Sequence, residues 1–290
     1  MLYQVTHRTT YAYASDVPVS HHVAHLHPRV LERQRVTDHS LLIEPAPAVN
    51  TERADFYGNI VRFFSIRSPH DRLIVTARSR VQVTAPTLPA QSPSWQEVRD
   101  RCAIDVLTPD SAVGEFRFDS PYILRKPAFA DYAAASFPRD RPLLDAVRDF
   151  AARIFRDFRF DSRATTVATP LDVVFKNRHG VCQDFAHLAI AGLRSLGLPA
   201  RYVSGYIETL PPAGKARLVG ADASHAWFAV WCPGHGWIDA DPTNNLLPGD
   251  RHITVAWGRD FGDVSPLRGV VVGGGRHGLE VSVDVARIAE

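Results

Sequence analysis

The stretch Arg178–Tyr206, RHGVCQDFAHLAIAGLRSLGLPARYVSGY, constrains the fold more than any other part of the chain. Phe185, Leu188, Ala189, Gly192, Leu193 and Leu196 follow the i, i+3, i+4 spacing of one helical stripe, and Ala186 and Ile190 widen it. A helix this apolar on more than one face belongs in the middle of a structure, covered on several sides. Gly197 is placed to end it as the left-handed residue after the last turn, and Pro199 blocks continuation. The fold must therefore supply other layers to cover this helix.

Those layers are legible on both sides. A second helix is expected over Leu143–Phe158, where Leu144, Val147, Phe150, Ala151, Ile154 and Phe155 share a stripe. Downstream of the central helix come β-rich runs at 201–207, 225–232, 237–241, 253–257, 270–272 and 279–285. Upstream, Tyr3, Val5, His7, Thr9, Tyr11 and Tyr13 share one parity, and 41–43, 60–66 and 73–83 are further strands, with Tyr57-Gly58-Asn59 as a hairpin turn. Short strands with frequent turns favour an antiparallel sandwich. Helices followed by a run of strands favour an α+β unit with an antiparallel sheet. The prolines and serines from Thr84 to Ser94 read as a linker, with a helix over 94–104 behind it. The expected organisation is a β-sandwich over 1–85, a linker with helical segments over 86–139, and a catalytic core over 140–290. By the same division, a core starting near Ser92 is expected to fold without the sandwich.

The start of the central helix carries the chemistry. Cys182 follows Gly180, which is expected to let the backbone turn sharply into the helix. Free N–H groups and the positive dipole end at a helix N-terminus favour a thiolate, the nucleophilic form of cysteine, and can hold a developing oxyanion. A cysteine nucleophile needs a base, and the base an orienting group. DASHAWFAVWCPGHGWIDADPTNN, residues 222–245, offers both. His225, Trp227, Ala229 and Trp231 share one strand face; Phe228, Val230 and Cys232 share the other, which turns Cys232 away from His225. The next strand carries Asp239 and Asp241, again of one parity. A five-residue loop, Trp231 to His235, pairs Val230 with Gly236 and sets Asp241 opposite His225; a three-residue loop is expected to set Asp239 there. Spacing alone leaves both carboxylates open.

GVCQDFA, SHAW and GWIDADPTNN resemble the Cys, His and Asp motifs of bacterial transglutaminase-like proteins, many of which are described as cysteine proteases. YQVTHRTTYAYASDVPVS, LHPR, DFYGN and SPHDRLIV are similar to the β-rich region that often precedes that core. The resemblance covers residues 2–85 and about 140–245. It implies a papain-like α+β core with a triad of Cys182, His225 and Asp241, the last in Asp-Pro-Thr. It implies thioester-forming acyl transfer on a peptide or carboxamide, ending in hydrolysis or in transamidation to an amine. One departure is visible: papain-like proteases place a glutamine shortly before the cysteine, whereas Phe175-Lys176-Asn177-Arg178-His179 stands here. The Cys182 backbone amide is the one oxyanion donor the sequence nominates.

Other features bound the reading. Lys and Arg number 33 against 31 Asp and Glu, so nothing points to a nucleic-acid or membrane partner. Three scattered cysteines, Cys102, Cys182 and Cys232, make no disulfide framework and no zinc knuckle. The alternating N-terminus does not read as a signal peptide, and a cytoplasmic location is expected. No calcium loop and no cofactor motif appears. His21, His22, His25 and His27 invite a metal reading, with His25 and His27 on one strand face, but no carboxylate or cysteine accompanies them at ligand spacing. Asp184 and His187 are expected to order the helix start or line the cleft. Trp227, Trp231 and Trp237 are expected in core packing, and Tyr206 beside the site. Two other function classes are compatible with the chain: a noncatalytic peptide-binding module on the same fold, and a metal hydrolase built on the histidine cluster.

Overall fold

A computed structural model describes residues 1–104, 111–209 and 224–289. Its elements in chain order are β1 (Leu2–Val17), β2 (Val19–Ala24), β3 (Gln34–Glu44), β4 (Val49–Ala54), β5 (Ile60–Ile66) and β6 (His70–Val83). Then come α1 (Trp95–Ile104), α2 (Ser111–Glu115), α3 (Pro127–Ala134), α4 (Leu143–Asp157), β7 (Arg159–Phe160), α5 (Leu171–Asn177), β8 (His179–Gly180) and α6 (Cys182–Ser195). The chain closes with β9 (Ala200–Ile207), β10 (Ser224–Cys232), β11 (Gly236–Ala240), β12 (His252–Gly258), α7 (Phe261–Val264), β13 (Leu267–Val272) and β14 (His277–Arg287).

Three four-stranded antiparallel sheets carry the architecture, in the orders β14-β1-β6-β3, β13-β2-β5-β4 and β11-β10-β9-β12. The first two face each other as a sandwich around Phe64, Ile66, Leu73, Val75 and Ala77. The third sheet is the floor for α6. The expected α+β class, with an antiparallel sandwich and an antiparallel core sheet, is the fold observed. The last two strands correct the expected boundaries. β13 pairs with β2 and β14 with β1, so residues 267–287 belong to the sandwich, and the core sheet ends at β12.

α6 sits at the centre because its sequence leaves it nowhere else. Phe185, Ala186, Leu188, Ala189, Ile190, Ala191 and Leu193 are all buried, and truncating such a leucine costs about 2–5 kcal/mol. Its neighbours include α3 and α4, whose Phe129, Ala133, Phe150 and Ile154 join the same core. Trp95, Val98 and Ile123 join it too, so the expected linker contributes packed structure. Gly197 has φ +83° and ends the helix as its position predicts. Arg194, almost fully buried, ties that end down by donating to the carbonyls of Ala200, Phe118 and Arg259 and to Ser120 Oγ. Burial lowers its pKa to about 10, which leaves it charged at neutral pH.

The sandwich is fused to the core rather than appended to it. Tyr3, Val5, Val81, Val83, Val283 and Val285 lie in the same apolar cluster as α6. Two side-chain amides also complete the free edge of β12. Gln34 accepts from Thr254 N (2.7 Å) and donates to Thr254 O (2.7 Å). Asn59 accepts from Trp257 N (3.0 Å) and donates to Trp257 O (2.9 Å). Each amide acts as one missing peptide of a neighbouring strand, and an open edge strand is thereby closed.

Candidate active site

Cys182 is the first residue of α6 and is half-buried against the core. Asp184 fixes the turn that presents it. Its Oδ2 accepts from Val181 N (2.9 Å) and from Thr165 Oγ1 (2.6 Å), so the helix start is held from both sides. Burial raises the Asp184 pKa against these two bonds. Gly180 contributes differently from what the sequence suggests. Its φ is not in the left-handed region. A Cβ there would lie 2.8 Å from the Asp184 carboxylate, so the glycine makes room for that cap. His187, one turn further on, is buried and accepts from Phe261 N at 3.1 Å. Burial lowers its pKa to about 3, so it is a neutral packing residue. A cavity of about 270 Å3 beside the helix start is lined by Tyr122, Lys126, Leu171, Asp184 and His187, among others.

β10 and the turn after β11 supply the other two groups. Nε2 of His225 lies 2.7 Å from Oδ2 of Asp241, both buried. The Cys182 thiol is the other group whose nearness favours charge on the imidazole. Since Nε2 is committed to Asp241, Nδ1 is the nitrogen left for sulfur. Burial opposes charge on the ring, yet the bond to Asp241 and the nearby Cys182 outweigh it and raise the His225 pKa to about 10. Burial likewise opposes charge on Asp241, but its donors hold it well below the usual carboxylate range. Oδ1 accepts from Thr243 N (2.9 Å) and Asn244 N (3.2 Å), while Oδ2 also accepts from Asn244 Nδ2 (2.7 Å) and His252 Nε2 (3.1 Å). Asn244 Nδ2 is 3.3 Å from His225 Nε2, but both nitrogens carry protons aimed at the carboxylate, so that approach is not a bond.

The route by which Asp241 reaches His225 differs from both expectations. The loop has three residues, Pro233 to His235, with Cys232 paired to Gly236 and Ala229 to Asp239. A three-residue loop therefore does not set Asp239 opposite His225, and no five-residue loop forms. That register carries Asp241 to a position diagonal to His225, where the chain leaves the strand and bridges to Leu246. Asp239 points elsewhere and pairs with Arg33 of the sandwich, Nη2 to Oδ2 2.8 Å.

The remaining candidates fall into packing. Cys232 is buried on the opposite strand face, and burial raises its pKa to about 11. Trp227 is buried with Val203 and Ala229, with Trp237 and Trp257 against them. Arg201 lies 4.3 Å from the Trp237 ring centre and 3.7 Å from that of Trp257. Tyr206 hydrogen-bonds His7 of β1 at 3.0 Å. The histidine cluster does not converge. β2 ends at Ala24, so His25 and His27 do not share its face. His21 and His22 stack on Phe63 and Phe64, His25 meets Ser265 and Asp55, and His27 packs on His39. Among the described residues the close group is His225, Asp241 and His252, with donor atoms within 4.8 Å of one another. Their mutual hydrogen bonds account for that closeness. Asn244 and His252 are the two members that sequence reasoning missed.

Comparison with known proteins establishes the family. Residues 3–82 match the bacterial transglutaminase-like N-terminal region, and residues 131–242 match the transglutaminase-like superfamily model. The uncharacterized protein Rv2569c of Mycobacterium tuberculosis is 44% identical over 98% of this chain and 92% of its own length. The chain belongs to the transglutaminase-like superfamily. Within it, a Mycobacterium leprae protein, ML0607, is 34% identical over 99% of both chains. A protein-glutamine gamma-glutamyltransferase of Pseudomonas aeruginosa is 34% identical over 38% of this chain and 19% of that protein. The fold of the chain is similar to that of a solved Cytophaga hutchinsonii structure, provisionally named a cysteine protease. It aligns with TM-score 0.75 at 22% identity over 100% of this chain and 92% of that one. No helix among the described residues is long and apolar enough to cross a membrane.

Proposed function

We propose that the protein performs thiol-dependent acyl transfer on a peptide or carboxamide through a thioester on Cys182. The observation that carries this reading is one imidazole, His225, hydrogen-bonded to a buried carboxylate and influenced by the helix-N-terminal thiol of Cys182. With its pKa raised to about 10, His225 already holds the Cys182 proton at Nδ1, and the thiolate sulfur attacks the carbonyl carbon. The tetrahedral oxyanion forms near the start of α6, where the Cys182 backbone amide donates to it. Collapse breaks the C–N bond, and the leaving amine takes the proton from His225. Water, or a second amine, then attacks the thioester carbonyl and restores the thiol. Asp241 keeps the Nε2–H tautomer and stabilises the imidazolium in both halves.

The test is release of ammonia from glutamine-containing peptides, with and without a primary amine such as cadaverine. Turnover that vanishes in Cys182→Ala supports the reading, and amine incorporation would place it as transamidation. Turnover unchanged in Cys182→Ala would refute it.

A further inference from the structure

The carboxylate that serves His225 is shared with a second imidazole. His252 opens β12, is 1% exposed, and donates Nε2–H to Oδ2 of Asp241 at 3.1 Å. Its Nδ1 is buried without a protein hydrogen-bond partner. Because Oδ2 only accepts, His252 must carry its proton on Nε2, which leaves Nδ1 as the bare nitrogen. The ring is held upright by the Trp227 indole, 5.3 Å away and nearly perpendicular. β12 itself is anchored by Gln34 and Asn59 of the sandwich, so His252 reaches the site from a fixed strand.

We propose that His252 is a positioning residue that tempers the triad: a neutral imidazole that takes up part of the Asp241 charge which would otherwise bear on His225. The inference rests on the reading of Cys182, His225 and Asp241 as the reacting set. Asp241 does not depend on His252 for its place. Its Oδ1 is fixed by the Thr243 and Asn244 amides, and Asn244 Nδ2 also holds Oδ2. What His252 supplies is charge sharing. A donor that adds no positive charge weakens the carboxylate as a partner for the imidazolium. His225 then holds its proton firmly enough to form, and loosely enough to surrender to a leaving amine. Burial favours the neutral His252 ring over the pull of Asp241. The other charges acting on it are His225 and, further off, Asp239, which Arg33 neutralises.

The experiment uses the full chain and two readouts. In 15N-resolved NMR of the wild type, the His252 ring should show protonated Nε2 and bare Nδ1 at neutral pH. A protonated Nδ1, in either tautomer or cation, would overturn the proposal. The second readout is alkylation of Cys182 by iodoacetate, an anionic reagent whose rate falls as the His225 imidazolium loses its proton. In His252→Phe the alkaline limb of this profile should move to higher pH, and thioester turnover should fall several-fold in kcat with KM little changed. His252→Gln, which keeps a donor, should restore both toward wild type. A limb that stays in place or moves to lower pH in a folded His252→Phe protein, or one that shifts well away from the wild-type position in a folded His252→Gln protein, would contradict the charge sharing. If His252→Phe does not fold, the wild-type tautomer and His252→Gln decide the matter. If the wild-type Cys182 itself proves unreactive, the failure lies with the acyl-transfer reading instead.

Discussion

Asp239 and Asp241 lie two residues apart and face different partners: Asp239 binds Arg33 of the sandwich, and Asp241 binds His225. The two carboxylates should therefore separate cleanly by mutation. Asp241→Asn loses the anion that fixes the His225 tautomer, and turnover should drop about 100-fold or more. Asp239→Asn should keep most of its turnover. It should lose instead up to about 1 kcal/mol of stability with the partly exposed Arg33 pair. Ammonia-release kinetics and urea unfolding, run on both variants, distinguish the two roles.

Gln34 and Asn59 make the sandwich structurally necessary to the core. Gln34→Ala leaves the buried N–H of Thr254 without its partner, a cost of about 1–3 kcal/mol, while the Thr254 carbonyl keeps the Arg29 amide. Urea melts of Gln34→Ala should show a lower midpoint with an unchanged slope. A chain beginning near Ser92 should fail to fold, since Tyr3, Val5, Val81 and Val83 leave the α6 core with it. The physical reason the sequence suggested a separable unit is the proline-rich run after Thr84. That run marks a turn in the chain, not a break in the packing.

His187 links stability to acid. Its pKa is about 3 in the folded protein against 6.5 for the free group, because burial penalises the cation. Below about pH 6.5 the unfolded chain binds a proton that the folded chain refuses. Stability therefore falls as pH falls from about 6.5 toward about 3, at about 1.4 kcal/mol per pH unit for this group. His7 and His22, each lowered to about 4 by burial, act in the same direction. His187→Gln keeps an acceptor for the Phe261 amide and cannot titrate. Its melting temperature should decline less steeply between pH 6.5 and 4 than that of the wild type.

Gly205 tests the packing around the triad. A Cβ at this position would lie 2.1 Å from the Ile253 carbonyl oxygen and 2.6 Å from the Trp227 ring. Gly205→Ala must push β12 off β9 or displace Trp227, which moves His252 and His225 together. A loss of about 3 kcal/mol or more in urea unfolding is expected, in the range reserved for overpacked cores.

The sequence spoke most clearly where structure is local. The stripe behind Cys182, the Gly197 stop and the strand parity of His225 each follow from neighbours within one or two turns. The identity of the carboxylate was less accessible, because it depends on a hairpin register and a diagonal contact. His252 was invisible: it meets Asp241 only because β12 pairs with β9 across forty-odd residues of chain. The return of β13 and β14 to the sandwich was equally hidden, since nothing in a strand's own alternation names the sheet it will join. Gly180 was legible as a required glycine, but the reason was the Asp184 carboxylate and not the turn.

The central claim is that His225 activates Cys182, and iodoacetamide labelling read peptide by peptide tests it most directly. Cys182, half-buried and near His225, should label fastest of the three thiols in the native protein. Cys232, buried with its pKa raised to about 11, should wait for unfolding. In His225→Ala the Cys182 rate at neutral pH should fall at least several-fold, and an alkaline buffer should recover much of it. A Cys182 that labels no faster than Cys232, with no change in His225→Ala, would contradict the account.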